Sequence, residues 1–307
     1  MNANAVSSGT ELAIELSGVS KRFGNTLAVD DLSVSVKQGS TFGLIGPNGS
    51  GKSTTIKMMM GVLRPTAGTV HVLGRDVAEE AVEIRQRVGY VPELHFMDRW
   101  MRVKEVTGFC RSAFARWSDE TCREMLDRFE LDPNKQVKHL SKGMLVKLSL
   151  VLAVSHEPEM LLLDEPMAGL DAVAREEFLD GVLRTVCDRG HTVLLSTHSL
   201  DDIQRIADTV GFLYNGRMLV HRNIDELLAS TKRVRATLSS GSLPEKLPKG
   251  IVRQQVDGRN WLVTIADFTP ETLQQIGELD GVNNAEVIEI GLEDLFKDFV
   301  KGQRSAS

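Results

Sequence analysis

The sequence predicts an α/β fold: a large domain on a mainly parallel sheet with an inserted helical subdomain, followed by a small C-terminal α+β domain. Three observations carry this. An apolar strand-like run at 41–45 enters a glycine-rich loop, Gly46-Pro47-Asn48-Gly49-Ser50-Gly51-Lys52-Ser53, and leaves it with helical periodicity. Two continuous apolar runs, 160–163 and 192–195, suit strands buried on both faces, and a helical pattern over 173–189 separates them as a parallel crossover requires. Around 230–250 the composition turns to Ser, Lys, Gly and Pro, and fresh strand and turn signals follow. The boundaries read as 11–225 and 232–307, with the helical subdomain at about 93–157.

Each element has a local reason. Over 11–45 short runs alternate apolar and polar residues, with Leu12, Ile14 and Leu16 on one face. After the loop, Ile56, Met59, Met60 and Leu63 recur at helical spacing, and the helix is expected to stop near Arg64-Pro65. From Pro92 to Glu157 the pattern is helical without a strand, and Ser118 is the expected cap of a helix running toward Glu130. Val210, Phe212 and Tyr214 alternate into Asn215-Gly216, a two-residue hairpin turn. In the second domain, 251–256 and 260–265 flank Asp257-Gly258 as another hairpin. Thr269-Pro270 opens a helix, a strand is expected at 285–290, and a last helix starts at Leu292.

Bulk properties narrow the function classes. With 307 residues, 42% apolar and 25% charged, the chain has the composition of a globular protein. A formal charge of -6 gives no basic footprint for nucleic acid, so no nucleic-acid partner is expected. The apolar run at 148–154 is far below the ~20 residues that cross a bilayer. The first ten residues have neither the basic nor the apolar region of a secretory signal and read as a frayed end. Cys110, Cys122 and Cys187 fit neither a disulfide framework nor a zinc site and read as reduced structural thiols of a cytoplasmic protein.

The glycine loop carries the clearest chemistry. Backbone N–H groups wrapped round a triphosphate hold its charge without water, and Gly46, Gly49 and Gly51 let the backbone approach closely. Lys52 would bridge the β- and γ-phosphates, Ser53 would offer its hydroxyl to Mg²⁺, and the following helix, through Thr54, points its positive end at the anion. Pro47, Asn48 and Ser50 complete the cradle. Asp164 and Glu165 follow the 160–163 strand at its carboxyl end, where ligands bind in open α/β sheets. Asp164 suits the Mg²⁺ sphere and Glu165 a general base that polarises water. His198 follows the next buried strand, placed to hydrogen-bond a γ-phosphate; taken alone it would read as a structural histidine.

The order of these segments, with Leu140-Ser141-Lys142-Gly143-Met144 before the Asp-Glu strand and Ala168-Gly169-Leu170-Asp171 after it, strongly resembles the ABC transporter ATP-binding subunit over about 11–225. The fold is then that of a P-loop ABC-type ATPase core. The resemblance implies two such domains sandwiching two ATP molecules head to tail, with Ser141 and Gly143 facing the partner's γ-phosphate and Asp171 as the D-loop aspartate. Phe23 matches the adenine-stacking aromatic, although by itself it is equally a half-buried strand residue. Four positions depart from the pattern: Lys142 and Met144 replace a glycine and a glutamine, Met167 replaces Thr or Ser, and Glu93 stands for the Q-loop glutamine that contacts Mg²⁺. A carboxylate at 93 still suits that metal.

The Lys-Gly-Met signature, Pro-Glu Q-loop and single cassette look like ABC-2-type export subunits, particularly the Ytr group. That implies an ATPase using ATP and Mg²⁺, a second ATP-binding subunit as partner, and a separate transmembrane permease that holds it on the inner face of the cell membrane. The alternative is a soluble ABC-type ATPase of translation or DNA repair. A single cassette, no sustained heptads and the acidic balance weigh against it. The C-terminal domain reads either as a regulator of dimer closure or as a stabilising appendix.

Overall fold

The computed structural model describes residues 11–93, 97–186 and 190–306. The expected frayed N-terminus, Cys187 and the end of the crossover helix toward Arg189 lie outside the described residues. Two compact units divide the chain, Met1–His221 and Arg222–Ser307.

In the first unit the elements are, in order, β1 (Leu12–Phe23), β2 (Thr26–Lys37), β3 (Thr41–Ile45), α1 (Lys52–Met59), β4 (Ala67–Val72), β5 (Arg75–Asp76), α2 (Val77–Arg87) and β6 (Val88–Val91). Then come α3 (Val103–Ala113), α4 (Asp119–Arg128), α5 (Lys142–Ser155), β7 (Met160–Asp164), α6 (Ala172–Val186), β8 (Thr192–Thr197), α7 (Leu200–Ile206), β9 (Thr209–Tyr214) and β10 (Arg217–Asn223). One sheet runs β2-β1-β4-β5, and β1 pairs antiparallel with both β2 and β4. The other runs β10-β9-β3-β8-β7-β6 and is parallel from β9 to β6. Ile14, Leu32, Phe42, Ile56, Leu162 and Leu194 belong to one buried cluster that draws on both sheets and on α1.

Every residue of β3, β7 and β8 is buried, which is why their sequences are continuous apolar runs. Parallel pairing brings all three carboxyl ends to one edge of the sheet, and the glycine loop, Asp164-Glu165 and His198 emerge there together. The helical subdomain has α3, α4 and α5. Ser118 caps α4, its hydroxyl accepting from Thr121 N at 3.1 Å. Leu148, Leu150 and Val151 are fully buried, so the apolar run in α5 is a core helix face.

Three expectations need correction. Helix α1 ends at Met59, before Arg64-Pro65, because the chain turns at Gly61 with φ 64°; Leu63 continues the apolar spacing only because it packs on the core from the turn. Strand β9 buries Gly211 and Leu213 as well as Val210 and Phe212, since it lies inside the sheet rather than alternating against solvent. The strand expected at 285–290 is Val282–Ile288, because Val282 pairs with Leu238 and closes the second core.

The second unit has α8 (Ile224–Ser230), β11 (Lys232–Leu238), β12 (Ile251–Asp257), β13 (Asn260–Ile265), α9 (Pro270–Gly277), β14 (Val282–Ile288) and α10 (Leu292–Ala306). The sheet order is β12-β13-β11-β14, antiparallel throughout. Strand β11 falls inside the stretch whose composition turns to Ser, Lys, Gly and Pro, where no strand was expected. Val234, Ala236, Leu238, Trp261, Val263 and Ile265 form the core together with Ile276 of α9. On α10, Asp298 is 2% exposed and accepts from Arg233 Nη2 at 2.6 Å, Arg253 Nη1 at 2.8 Å and the Thr264 hydroxyl. Burial alone would raise this carboxyl, but these hydrogen bonds hold it below its ordinary value.

Candidate functional site

A cleft of about 510 Å³ is lined by Phe23, Ala28, Asn48, Gly49, Gly51, Lys52, Ser53, Thr54, Glu93 and Glu165. The loop forms it because two glycines permit what a side chain would forbid. A Cβ on Gly46 would lie 2.3 Å from Leu213 O, and one on Gly51, at φ 108°, 2.6 Å from Ala28 O. Gly46 and Ser50 are buried, whereas Pro47, Asn48 and Gly49 are exposed. Lys52, 5% exposed, donates to Gly46 O at 2.7 Å and Pro47 O at 3.2 Å, so its ammonium is folded back over the loop it follows.

The two carboxylates divide their partners. Ser53 Oγ donates to Asp164 Oδ1 at 2.9 Å, and Ser196 Oγ donates to the same oxygen at 2.9 Å. Glu165 Oε1 lies 3.0 Å from Lys52 Nζ and Oε2 lies 2.9 Å from His198 Nδ1. Lys52 and Glu165 are buried, while His198 keeps an exposed ring. Burial pushes the Asp164 carboxyl up from its ordinary value. The Ser196 and Ser53 hydroxyls oppose that shift, and the charges of Glu93 and Glu165 add to it. The site is short of positive charge around Asp164.

Among the described residues no group of three His, Cys, Asp or Glu side chains could enclose a metal ion. The hard oxygens of Ser53 and Asp164, with Glu93 on the same cleft, nevertheless suit Mg²⁺, which keeps several waters and substrate phosphates as ligands. The glycine cradle and the buried ammonium suit the triphosphate itself.

Other candidates stand apart from this cleft. Ser141 caps α5, its hydroxyl accepting from Met144 N at 3.2 Å, and Gly143 faces Ala174 of α6 at the start of the same helix. Asp171 is exposed and accepts from Ala174 N at 2.9 Å at the start of α6. None of the three lines the cleft. Phe23, 46% exposed, does line it, and Lys21 Nζ lies 5.1 Å from its ring centroid. Sequence reasoning gave no role to Ser196, although a hydroxyl closing the apolar run Val193-Leu194-Leu195 was a visible signal.

Residues 29–168 match the family model described as ABC transporter. The chain is 38% identical over 228 residues to the Nod factor export ATP-binding protein I of Sinorhizobium fredii, covering 71% of this chain and 66% of that protein. It is 36% identical to the daunorubicin resistance ATP-binding protein DrrA3 of Streptomyces coeruleorubidus, covering 72% and 71%. With the Nod factor export ATP-binding protein I of a Rhizobium species it shares 33% identity over 94% of this chain and 96% of that one. Among solved structures, an ATP-binding subunit of an ABC transporter superposes with a TM-score of 0.64 at 29% identity, covering 70% of this chain and 91% of that one. A dimeric bacterial ABC transporter cassette matches the fold with a TM-score of 0.62 at 23% identity, covering 68% and 98%. Relatives at this identity and coverage show that the chain belongs to the ABC transporter family, as an ATP-binding ATPase subunit.

Proposed function

We propose that the chain is the energy-coupling ATPase of an export system whose membrane pathway is a separate permease. The observation that carries the catalytic reading is Glu165, held between Lys52 at 3.0 Å and His198 at 2.9 Å beside the cleft. Lys52 and the loop amides bind the triphosphate, which gives the ammonium a stronger partner than Glu165 and frees that carboxylate. Glu165 then takes the proton of the attacking water, and His198 orients Glu165 and contacts the γ-phosphate. Ser53, Asp164 and Glu93 would hold Mg²⁺, which when bound would neutralise charge developing on the phosphates. Phe23 stacks on the adenine.

Ser141, Gly143 and Asp171 act on a second subunit. They lie outside the cleft of their own chain, and the N-terminus of α5, with no acidic residue in its first turn, suits an anion brought by a partner cassette. A neighbour of the same fold described as dimeric supports pairing with a second cassette. Toward the permease, Tyr90, Pro92, Met101, Phe109 and Leu152 line a mainly apolar groove of about 320 Å³. Phe109 is 69% exposed, and Pro92 joins this groove to Glu93 on the nucleotide cleft. A cytoplasmic segment of the permease fills the groove and reads the state of the cleft through residue 93. Among the described residues no helix is long and apolar enough to cross a membrane; in this reading the permease holds the chain at the inner face of the cell membrane.

Glu165→Gln tests the catalytic reading: nucleotide binding stays intact and turnover falls by ~10²-fold or more, the scale of a lost general base. Wild-type turnover in that variant removes Glu165 from the role. Affinity purification from crosslinked membranes tests the partner. A co-purifying permease is expected, and recovery of ribosomes or DNA without a membrane protein overturns export.

A further inference from the structure

We infer that Ser196 is a positioning residue for hydrolysis, fixing where Glu165 stands by bonding both to its backbone and to the neighbouring metal-site carboxylate. The inference rests on the reading of Glu165 as the general base. Ser196 is fully buried, and Val193, Leu194 and Leu195 before it are equally buried and apolar. A hydroxyl in such a place costs free energy unless both its donor and its acceptor capacity are used. Both are used, and both on the catalytic pair: Ser196 Oγ donates to Asp164 Oδ1 at 2.9 Å and accepts from Glu165 N at 3.1 Å.

Sheet pairing does not require this side chain. Asp164 and Ser196 are register partners in the β7–β8 ladder, which is made by backbone groups that alanine would supply equally well. What the hydroxyl adds is control of Glu165, whose φ of 47° is left-handed, an uncommon state for a residue with a side chain. Its N–H is shared between Ser196 O and Ser196 Oγ, each at 3.1 Å. Strained backbone persists where its surroundings over-determine it, and here the second acceptor is the Ser196 hydroxyl. With that N–H directed at β8, the carboxylate projects to Lys52 and His198. Thr197 does a different job, its hydroxyl accepting from Ser199 N at 3.0 Å in the turn that carries His198.

The test compares Ser196→Ala, Ser196→Thr and Glu165→Gln, alone and as the Ser196→Ala/Glu165→Gln double variant, by steady-state and single-turnover ATP hydrolysis. Ser196→Ala is expected to lower kcat about 10-fold while the KM for ATP and the half-saturating Mg²⁺ concentration stay within about 2-fold. Ser196→Thr, which keeps the hydroxyl, restores kcat to within about 3-fold of wild type. In the Glu165→Gln background the alanine change costs less than about 2-fold, because misplacing a residue that is no base loses nothing further. If Ser196→Ala does not fold, Ser196→Cys keeps the volume with a weak donor and is expected to give an intermediate kcat.

Wild-type kcat in Ser196→Ala, or in Ser196→Cys if that variant is needed, overturns the inference. So does an equal loss in the Glu165→Gln background, or a loss that saturating Mg²⁺ repairs, since either places the effect on Asp164. Unchanged turnover in Glu165→Gln itself overturns the reading of the base instead, which separates the two failures.

Discussion

Two buried carboxylates, Asp164 and Asp298, are each 2% exposed, and their surroundings push them in opposite directions. Asp298 is closed in by two guanidinium groups and a hydroxyl, which together outweigh burial. Asp164 receives two neutral hydroxyls and faces two further carboxylates, so burial prevails. Equal burial thus means different things. In the C-terminal unit the charge is neutralised within the chain and pins α10 to its sheet. In the cassette the charge is left for something that arrives from outside.

Asp298→Ala leaves Arg233 and Arg253 without their carboxylate and is expected to destabilise the C-terminal unit by about 3–5 kcal/mol. Thermal unfolding would show it as a loss or early melting of that unit. Asp164→Asn is expected to move the other way in the nucleotide-free protein. Its oxygen still accepts from Ser53 and Ser196, the unfavourable charge is gone, and Tm rises, while Mg²⁺-dependent turnover falls by ~10²-fold or more. A lower Tm in Asp164→Asn would remove the idea that this site is held ready at a cost in stability.

Acid sharpens the same contrast. The Asp298 carboxyl titrates lower in the folded chain than in the unfolded one, near 3.9. Its contribution is therefore complete above about pH 4 and is lost as pH falls through the depressed folded value. The raised Asp164 carboxyl favours the fold at acid pH and opposes it as pH rises through its folded value. A stability–pH profile of Asp298→Asn should fall less steeply than that of wild type below about pH 4, whereas Asp164→Asn should fall as wild type does. Smallest is the exposed pair Arg235–Glu286 on the C-terminal sheet, 57% and 62% exposed. Arg235→Ala should change stability by about 0.5 kcal/mol or less, which chemical denaturation can bound.

Legibility in the sequence followed range. The glycine loop, the Asp164-Glu165 pair and the hairpin turns at Asn215-Gly216 and Asp257-Gly258 are short contiguous patterns whose local chemistry leaves few alternatives. Strand β11 was hidden because its charged residues, Lys232, Arg233 and Arg235, merge with the polar composition that follows, although the buried Val234, Ala236 and Leu238 alternate within it. The end of α1 was hidden because Leu63 prolongs the helical spacing past the turn. The pairing of Asp298 with Arg233 and Arg253 joins residues 65 and 45 positions away, and nothing in the spacing marks it.

By itself the sequence determined the ligand class and the edge of the sheet that receives it, because glycines, a lysine and paired carboxylates at strand ends act through their immediate neighbours. Only the tertiary structure decided which groups share an oxygen. That Ser53 and Ser196 both address Asp164, that Glu165 stands between Lys52 and His198, and that Ser141 and Gly143 lie outside their own chain's cleft follow from how parallel strands bring distant loops together. Hydrogen bonds act over about 3 Å, and only folding sets distances of that size between residues a hundred positions apart.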